Sequence, residues 1–335
     1  MEKKRSCVLF VAILSLTLVT FTIGFAETKT GQKQNTIVLK AVSFLPGTSA
    51  SVKPFMDMKD KLNEQAKGEL TIKYLGGPEV IPTFQQGEAV RTGVVDISFN
   101  AGSNYQKMLP EAATFVLSEL APKEERERGL YDLYVETHKK VNMRFLCKII
   151  TSRGFQIGVN KKVEKPQDLA KFKLRGAPIY DRFFKALGVA SVVMPWEDVY
   201  TAMERGVVDG YGLTLSVLKM YKLSEVTKFV IDHSFYPGGG GVVLVMNQDK
   251  WNALPQHLKK LLLDAASEME MSSDRQWPTD EQMYRKVFTD AGGKFIKFSP
   301  QDAEWYIKTA HRVAWEEIIE KSPEFGPKLR KLSTK

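Results

Sequence analysis

At 335 residues and 43% hydrophobic, the chain is long enough to bury a sizeable core and to form two lobes. Its net charge of +9 suits an anionic ligand or a solvated basic surface. No stripe of Lys and Arg interleaved with aromatic residues occurs, which excludes a nucleic-acid groove.

The chain opens on a basic pentapeptide, Met1 to Arg5, followed by an apolar run from Val8 to about Ile23 and the small residues of Gly24-Phe25-Ala26. This order predicts a secretory signal peptide over residues 1–26, cleaved after Ala26, and hence export from the cytoplasm. A membrane anchor is disfavoured by the short run and the absence of a basic flank on its far side. Of the two cysteines, Cys7 belongs to this leader. Cys147 lies inside the apolar string FLCKII, where a buried strand is expected and an internal disulfide is excluded.

Downstream, NTIVLKAVSFLPG reads as a strand ending in a turn. SASVKPFMDMKDKLNEQAKG reads as a helix with Val52, Phe55, Met56 and Leu62 near one face. ELTIKYLGG is a strand, FQQGEAVRTG a short helix and VVDISFN the next strand. This order predicts a parallel α/β sheet with right-handed crossovers. A mostly helical stretch to Asn142 precedes MRFLCKIITSRGFQIGVN, one long strand or two in succession. Helix–strand units follow through YDRFFKALGVASVVMPW and EDVYTAMERGVVDGYGL. KFVIDHSFYPGGGGVVLVMN is two strands about a glycine-rich turn, which reads as a hinge crossing between lobes. A long helix then begins near Pro255, with Pro278 as a break or kink. GGKFIKF is a last strand, and Ser299-Pro300 starts a final helix with an N-cap and a first-turn proline.

Two segments share one spelling. RTGVVDISF (Arg91 to Phe99) and ERGVVDGYG (Glu204 to Gly212) each carry Gly-Val-Val-Asp after a helix. Two similar α/β lobes would each need that corner. Chance recurrence of a common helix–strand junction is the alternative.

The segment KFKLRGAPIYDRFFKALGVASVVMPWEDVYTAMERGVVDG (Lys171 to Gly210) resembles the signature region of the solute-binding proteins of TRAP transporters, the DctP family. Shared features are Lys-apolar-Arg, Met-Pro-aromatic, a Val-Tyr-x-Ala helix and Gly-Val-Val-Asp-Gly. LGGPEVIPTFQQGEAVRTGVVDI and WNALPQHLKKLLLDAASE are similar to further family segments. The resemblance implies a two-lobed α/β periplasmic binding protein, type II-like, with a hinged interlobe cleft and a long helix in its C-terminal half. It implies lobe I over residues 34–152 plus about 241–282, and lobe II over 153–240 plus about 283–335. Capture of a small organic acid for a TRAP membrane permease is the implied role.

The resemblance also assigns candidate residues. Arg175 would pair with the ligand carboxylate, a task for which a planar, permanently charged fork of donors is suited. From spacing alone it reads instead as an edge-strand arginine whose stem packs and whose head reaches water, and only the resemblance favours the ligand role. Arg153 matches a second family arginine, with a structural arginine at the lobe crossing as the alternative. Trp196 stands where the family lays a ring along its ligand, with an ordinary core position as the alternative. Departures from the family pattern are Leu213, at a place often polar, and the uncharged run from Asn100 to Asn104. Phe44, Trp196, Leu213, Phe235 and Tyr236 are expected to line an apolar end of the cleft, with Tyr211 and Tyr236 as partners for a 2-oxygen. A monocarboxylate, 2-oxo or 2-hydroxy acid or aromatic acid is the expected ligand. No cofactor is expected, and a cation bridging ligand to protein is left open. A sensor's binding module would use the same cleft. A secreted enzyme would need a nucleophile–base pair, Gly-x-Ser-x-Gly or metal-ligand spacing, and none occurs.

Overall fold

A computed structural model describes residues 36–150 and 152–335; the expected leader lies outside them. The first elements are β1 (Ile37–Ser43), α1 (Lys53–Gln65), β2 (Leu70–Gly76), α2 (Gln86–Arg91), β3 (Ile97–Ala101), α3 (Pro122–Glu127), α4 (Leu130–Lys139) and β4 (Met143–Ile149). Next come β5 (Phe155–Val159), β6 (Lys173–Gly176), α5 (Asp181–Ala186), β7 (Ala190–Val193), α6 (Val199–Glu204), β8 (Gly210–Leu213), α7 (Ser216–Met220) and β9 (Phe229–Tyr236). The chain ends with β10 (Val242–Asn247), α8 (Gln248–Ala253), α9 (Gln256–Asp290), β11 (Lys294–Ile296), α10 (Pro300–Lys321) and α11 (Gly326–Ser333).

Two sheets form, ordered β2-β1-β3-β10-β4 and β11-β9-β5-β8-β6-β7. In the first, β1 runs parallel to both β2 and β3, and β10 lies antiparallel against β3. In the second, β6 runs parallel to both β7 and β8, and β5 lies antiparallel against β8. The sheets are therefore mixed rather than purely parallel. The cause is the crossing of the chain: β4 leads into the second sheet through β5, and β9 leads back into the first through β10.

The repeated Gly-Val-Val-Asp corner has one physical role in both sheets. The Asp96 amide donates to Lys40 O at 2.8 Å while its Oδ2 accepts from the Lys40 amide at 2.7 Å. Asp209 repeats this on Lys173, at 2.7 and 3.1 Å. The carbonyl of each aspartate also accepts the amide at one end of the neighbouring antiparallel strand, Asn247 for Asp96 and Asn160 for Asp209. Each aspartate thus joins three strands at one point. The preceding glycines, Gly93 at φ +76° and Gly206 at φ +67°, take the left-handed turn that lets the helix reach the strand.

Burial follows the apolar spacing. Phe55, Met58 and Leu62 of α1 are buried against the first sheet, and Met56 is partly buried against the same core. Cys147 is fully buried in β4. Ser299 caps α10, its Oγ accepting the Asp302 amide at 3.2 Å, and Pro300 follows. Pro278 does not break α9, which runs as one element of 35 residues. This helix packs on α1 and β4 of the first sheet and on α7 of the second half. It also closes the edge of β4: Glu270 Oε1 accepts the Lys148 amide and Ser273 Oγ the Ile150 amide, both at 2.9 Å.

The glycine-rich turn joins the two sheets, as expected of a crossing. Gly239 has φ +76°, and a Cβ there would lie 1.7 Å from Ser152 O in the other crossing segment, between β4 and β5. The C-terminal stretch does not stay with the second sheet. Helix α10 packs on α5 and β9, but α11 returns to α4, and Ser322 Oγ donates to Glu111 Oε1 at 2.7 Å.

Candidate functional site

A cavity of about 380 Å³ opens between the two sheets, lined from both. Most of its lining follows the carboxyl ends of strands: Phe44 after β1, Asn104 after β3, Tyr180 after β6, Trp196 after β7 and Ser216 after β8. Parallel strands direct their carboxyl ends and following loops to one rim, where ligands of open α/β sheets bind.

Arg175, on β6, is 5% exposed. Its Nε and Nη2 donate to Met194 O at 3.1 and 3.0 Å, and its Nη1 donates to Tyr180 Oη at 3.0 Å. The guanidinium carbon sits 3.9 Å from the centroid of the Trp196 ring, a cation–π contact. Tyr221 stacks on Trp196 with centroids 5.9 Å apart. Among the described residues no carboxylate pairs with Arg175, and among the lining residues it is the only cation. A guanidinium carries five N–H donors. Three are used, so one on each terminal nitrogen remains, the pattern that a bidentate carboxylate fills.

Tyr180, which the sequence reading did not single out, holds this arginine in place. Its hydroxyl accepts from Arg175 and donates to Gly212 O at 3.2 Å, and burial raises its pKa. A Cβ on Gly212 would lie 2.9 Å from the Tyr180 ring, so the second glycine after Asp209 makes room for that ring. The motif Gly-Tyr-Gly carried this signal.

Of the other expected residues, Phe44 and Trp196 line the cavity, and the rest do not. Arg153 is paired with Asp274 of α9. The Tyr211 hydroxyl is buried against Thr227 Oγ1, with the ring set edge-on to Trp196. Leu213 is fully buried in the core of the second half. Phe235 packs among Phe155, Tyr180, Phe183 and Tyr306, and the Tyr236 hydroxyl donates to Ile179 O at 3.3 Å. Asn100 is fully buried; its Oδ1 accepts from Nδ2 of Asn104, which does reach the cavity. Apart from Arg153, which lies in the bend between β4 and β5, these residues sit within strands packed on both faces, so their side chains enter the core instead of the rim. Among the described residues no group of three or more His, Cys, Asp and Glu side chains is placed to hold a metal ion.

The two lobes bring matching positions to this cavity. Pro82 and Pro195, Thr83 and Trp196, Phe84 and Glu197, Ala101 and Thr214, and Ser103 and Ser216 keep one constant spacing along the chain, the spacing of Asp96 and Asp209. Strand register extends the match: Val42 pairs with Ser98 as Arg175 pairs with Tyr211.

The model of the family of bacterial extracellular solute-binding proteins, family 7 (DctP), matches residues 42–322. An uncharacterized protein of Haemophilus influenzae is 26% identical over 220 residues, 62% of this chain and 65% of that protein. The 2,3-diketo-L-gulonate-binding periplasmic protein YiaO of Escherichia coli is 24% identical over 275 residues, 73% of this chain and 83% of that protein. Among solved structures, a marine-metagenome TRAP solute binding protein specific for aromatic acid ligands, in complex with 3-hydroxybenzoate, has a TM-score of 0.74 at 23% identity, covering 89% of this chain and 97% of that one. The two-lobed α/β fold, the cleft between its sheets and the family match together show that the chain belongs to the DctP family of bacterial extracellular solute-binding proteins, family 7.

Proposed function

We propose that this protein is the periplasmic solute receptor of a TRAP transporter, that it captures a small monocarboxylate through Arg175, and that it delivers this acid to membrane permease subunits. The observation that carries the reading is the state of Arg175: buried in the cavity wall, without an acidic partner, and with two donors left over. Burying an unpaired cation is costly, and a ligand carboxylate removes that cost. One cation in the lining favours one carboxylate. Phe44, Trp196 and Ile179 offer an apolar or aromatic end to the remainder of the acid. The similar marine protein binds 3-hydroxybenzoate, itself a monocarboxylate. The expected 2-oxygen partners, Tyr211 and Tyr236, have hydroxyls already committed to Thr227 and Ile179, so recognition of such an oxygen falls to other groups.

Ligand bound between the lobes favours the closed form over the open one, a shift between populations. Micromolar affinity corresponds to about 8 kcal/mol. Truncating one partner of a buried charge pair costs roughly 2–5 kcal/mol. A thermal-shift screen over carboxylic acids identifies the ligand, because binding to the folded form raises the melting point. Calorimetry then tests the site: Arg175→Ala is expected to weaken binding by about two to three orders of magnitude with the fold intact. Near-wild-type affinity in that variant would refute the assignment.

A further inference from the structure

We infer that Phe84 selects the body of the ligand, so that the first lobe sorts acids by what lies beyond their carboxylate while the second lobe grips the carboxylate itself. The inference rests on the monocarboxylate reading of the cleft. Its basis is the matched placement of the two lobes. Where the second lobe has Arg175, the first has the buried Val42; where the second has Trp196, the first has Thr83; where the second has Glu197, the first has Phe84. Both charged residues of the lining, Arg175 and Glu197, therefore belong to the second lobe. The first lobe meets the ligand with uncharged side chains alone. Ser51, Ser103 and Asn104 give it neutral hydrogen-bond donors, but it has no cation with which to pair a carboxylate.

Phe84 stands out on that wall. It is 53% exposed, one of the large apolar side chains left in water, and it lines the cavity. It sits on the one-turn helix Thr83–Gln85, just before α2. Thr83 Oγ1 donates to Phe44 O at 3.2 Å, which ties this turn to the loop after β1 and to a second aromatic lining residue. Phe44 in turn stacks on the buried Phe99. The pair thus presents one fixed ring, Phe44, and one free ring, Phe84. A free ring gains from covering a flat apolar ligand body and gains little from a short polar one.

The test uses the full mature protein and two probes, 3-hydroxybenzoate and pyruvate, titrated by calorimetry. Phe84→Ala is expected to weaken 3-hydroxybenzoate by about tenfold or more and pyruvate by less than about threefold, with an unchanged melting point. Phe84→Leu is expected to recover most of the loss. Arg175→Ala serves as the control and is expected to weaken both probes together. If Arg175→Ala weakens both but Phe84→Ala changes them by equal factors, or neither, this inference falls and the carboxylate reading stands. If wild type binds neither probe, or Arg175→Ala leaves both unchanged, the two readings fall together.

Discussion

Arg153 provides the sharpest separation between what the family resemblance implies and what the geometry holds. The resemblance makes it a second ligand arginine; the structure pairs its Nη2 with Asp274 Oδ1 on α9, outside the cavity lining. The two side chains are 33% and 28% exposed, so solvent screens the pair. Partly exposed pairs of this kind contribute about 0.5–1 kcal/mol. In a chain of this size that corresponds to a melting-point change of roughly 1–3 °C. Arg153→Ala, Asp274→Ala and the double variant form a cycle that measures the coupling directly. The expected result is a coupling of about 0.5–1 kcal/mol in urea unfolding and ligand affinity within about threefold of wild type in all three variants. Calorimetry with the acid identified by screening supplies the second readout. A loss of more than about tenfold in Arg153→Ala, with Asp274→Ala binding as well as or better than wild type, would refute the reasoning. It would mean that the guanidinium leaves α9 for the ligand on closure.

Two further outcomes follow from the backbone and from a buried histidine. Gly239→Ala is expected to destabilise the protein by more than about 3 kcal/mol, because φ is +76° and the new Cβ would strike Ser152 O; Gly206→Ala, with φ +67° and open space around it, is expected to cost only about 1–2 kcal/mol in the same urea titration. His138 is fully buried, with Nδ1 donating to Tyr134 O at 2.7 Å and Nε2 accepting from the Tyr105 hydroxyl at 2.9 Å. Burial lowers its pKa from 6.5 to about 4. The unfolded chain therefore takes up a proton first as pH falls. The stability due to neutral His138 is complete above pH 6.5 and is lost between 6.5 and about 4, by about 3 kcal/mol in all. His138→Gln should flatten the stability–pH slope between pH 6.5 and 5; an unchanged slope would exclude His138 as its source.

The frame of the molecule was legible because its signals are local. The Gly-Val-Val-Asp corner could be read twice because each copy needs a left-handed glycine and a strand-joining aspartate within four residues. The cap at Ser299 and the burial of Cys147 are local in the same sense. Much of the site was not legible, for two reasons. Strands covered on both faces read as apolar throughout, so Tyr211, Leu213 and Phe235 gave no sign of facing the core instead of the rim. The partner of Arg153 lies 121 residues further along the chain, on a different element, and no spacing rule connects them. Thr83 and Phe84 went unnoticed because their correspondence with Trp196 and Glu197 is positional, with no residue type in common.

The side chains that α9 extends to β4 have an effect beyond holding the lobe together. A bare sheet margin is a template on which another chain can add a strand. Here Glu270 and Ser273 occupy the amides of Lys148 and Ile150, and the Tyr131 hydroxyl occupies the carbonyl of Leu146. That flank is thereby denied to any neighbouring polypeptide, and fibril growth from it would first require the long helix to peel away.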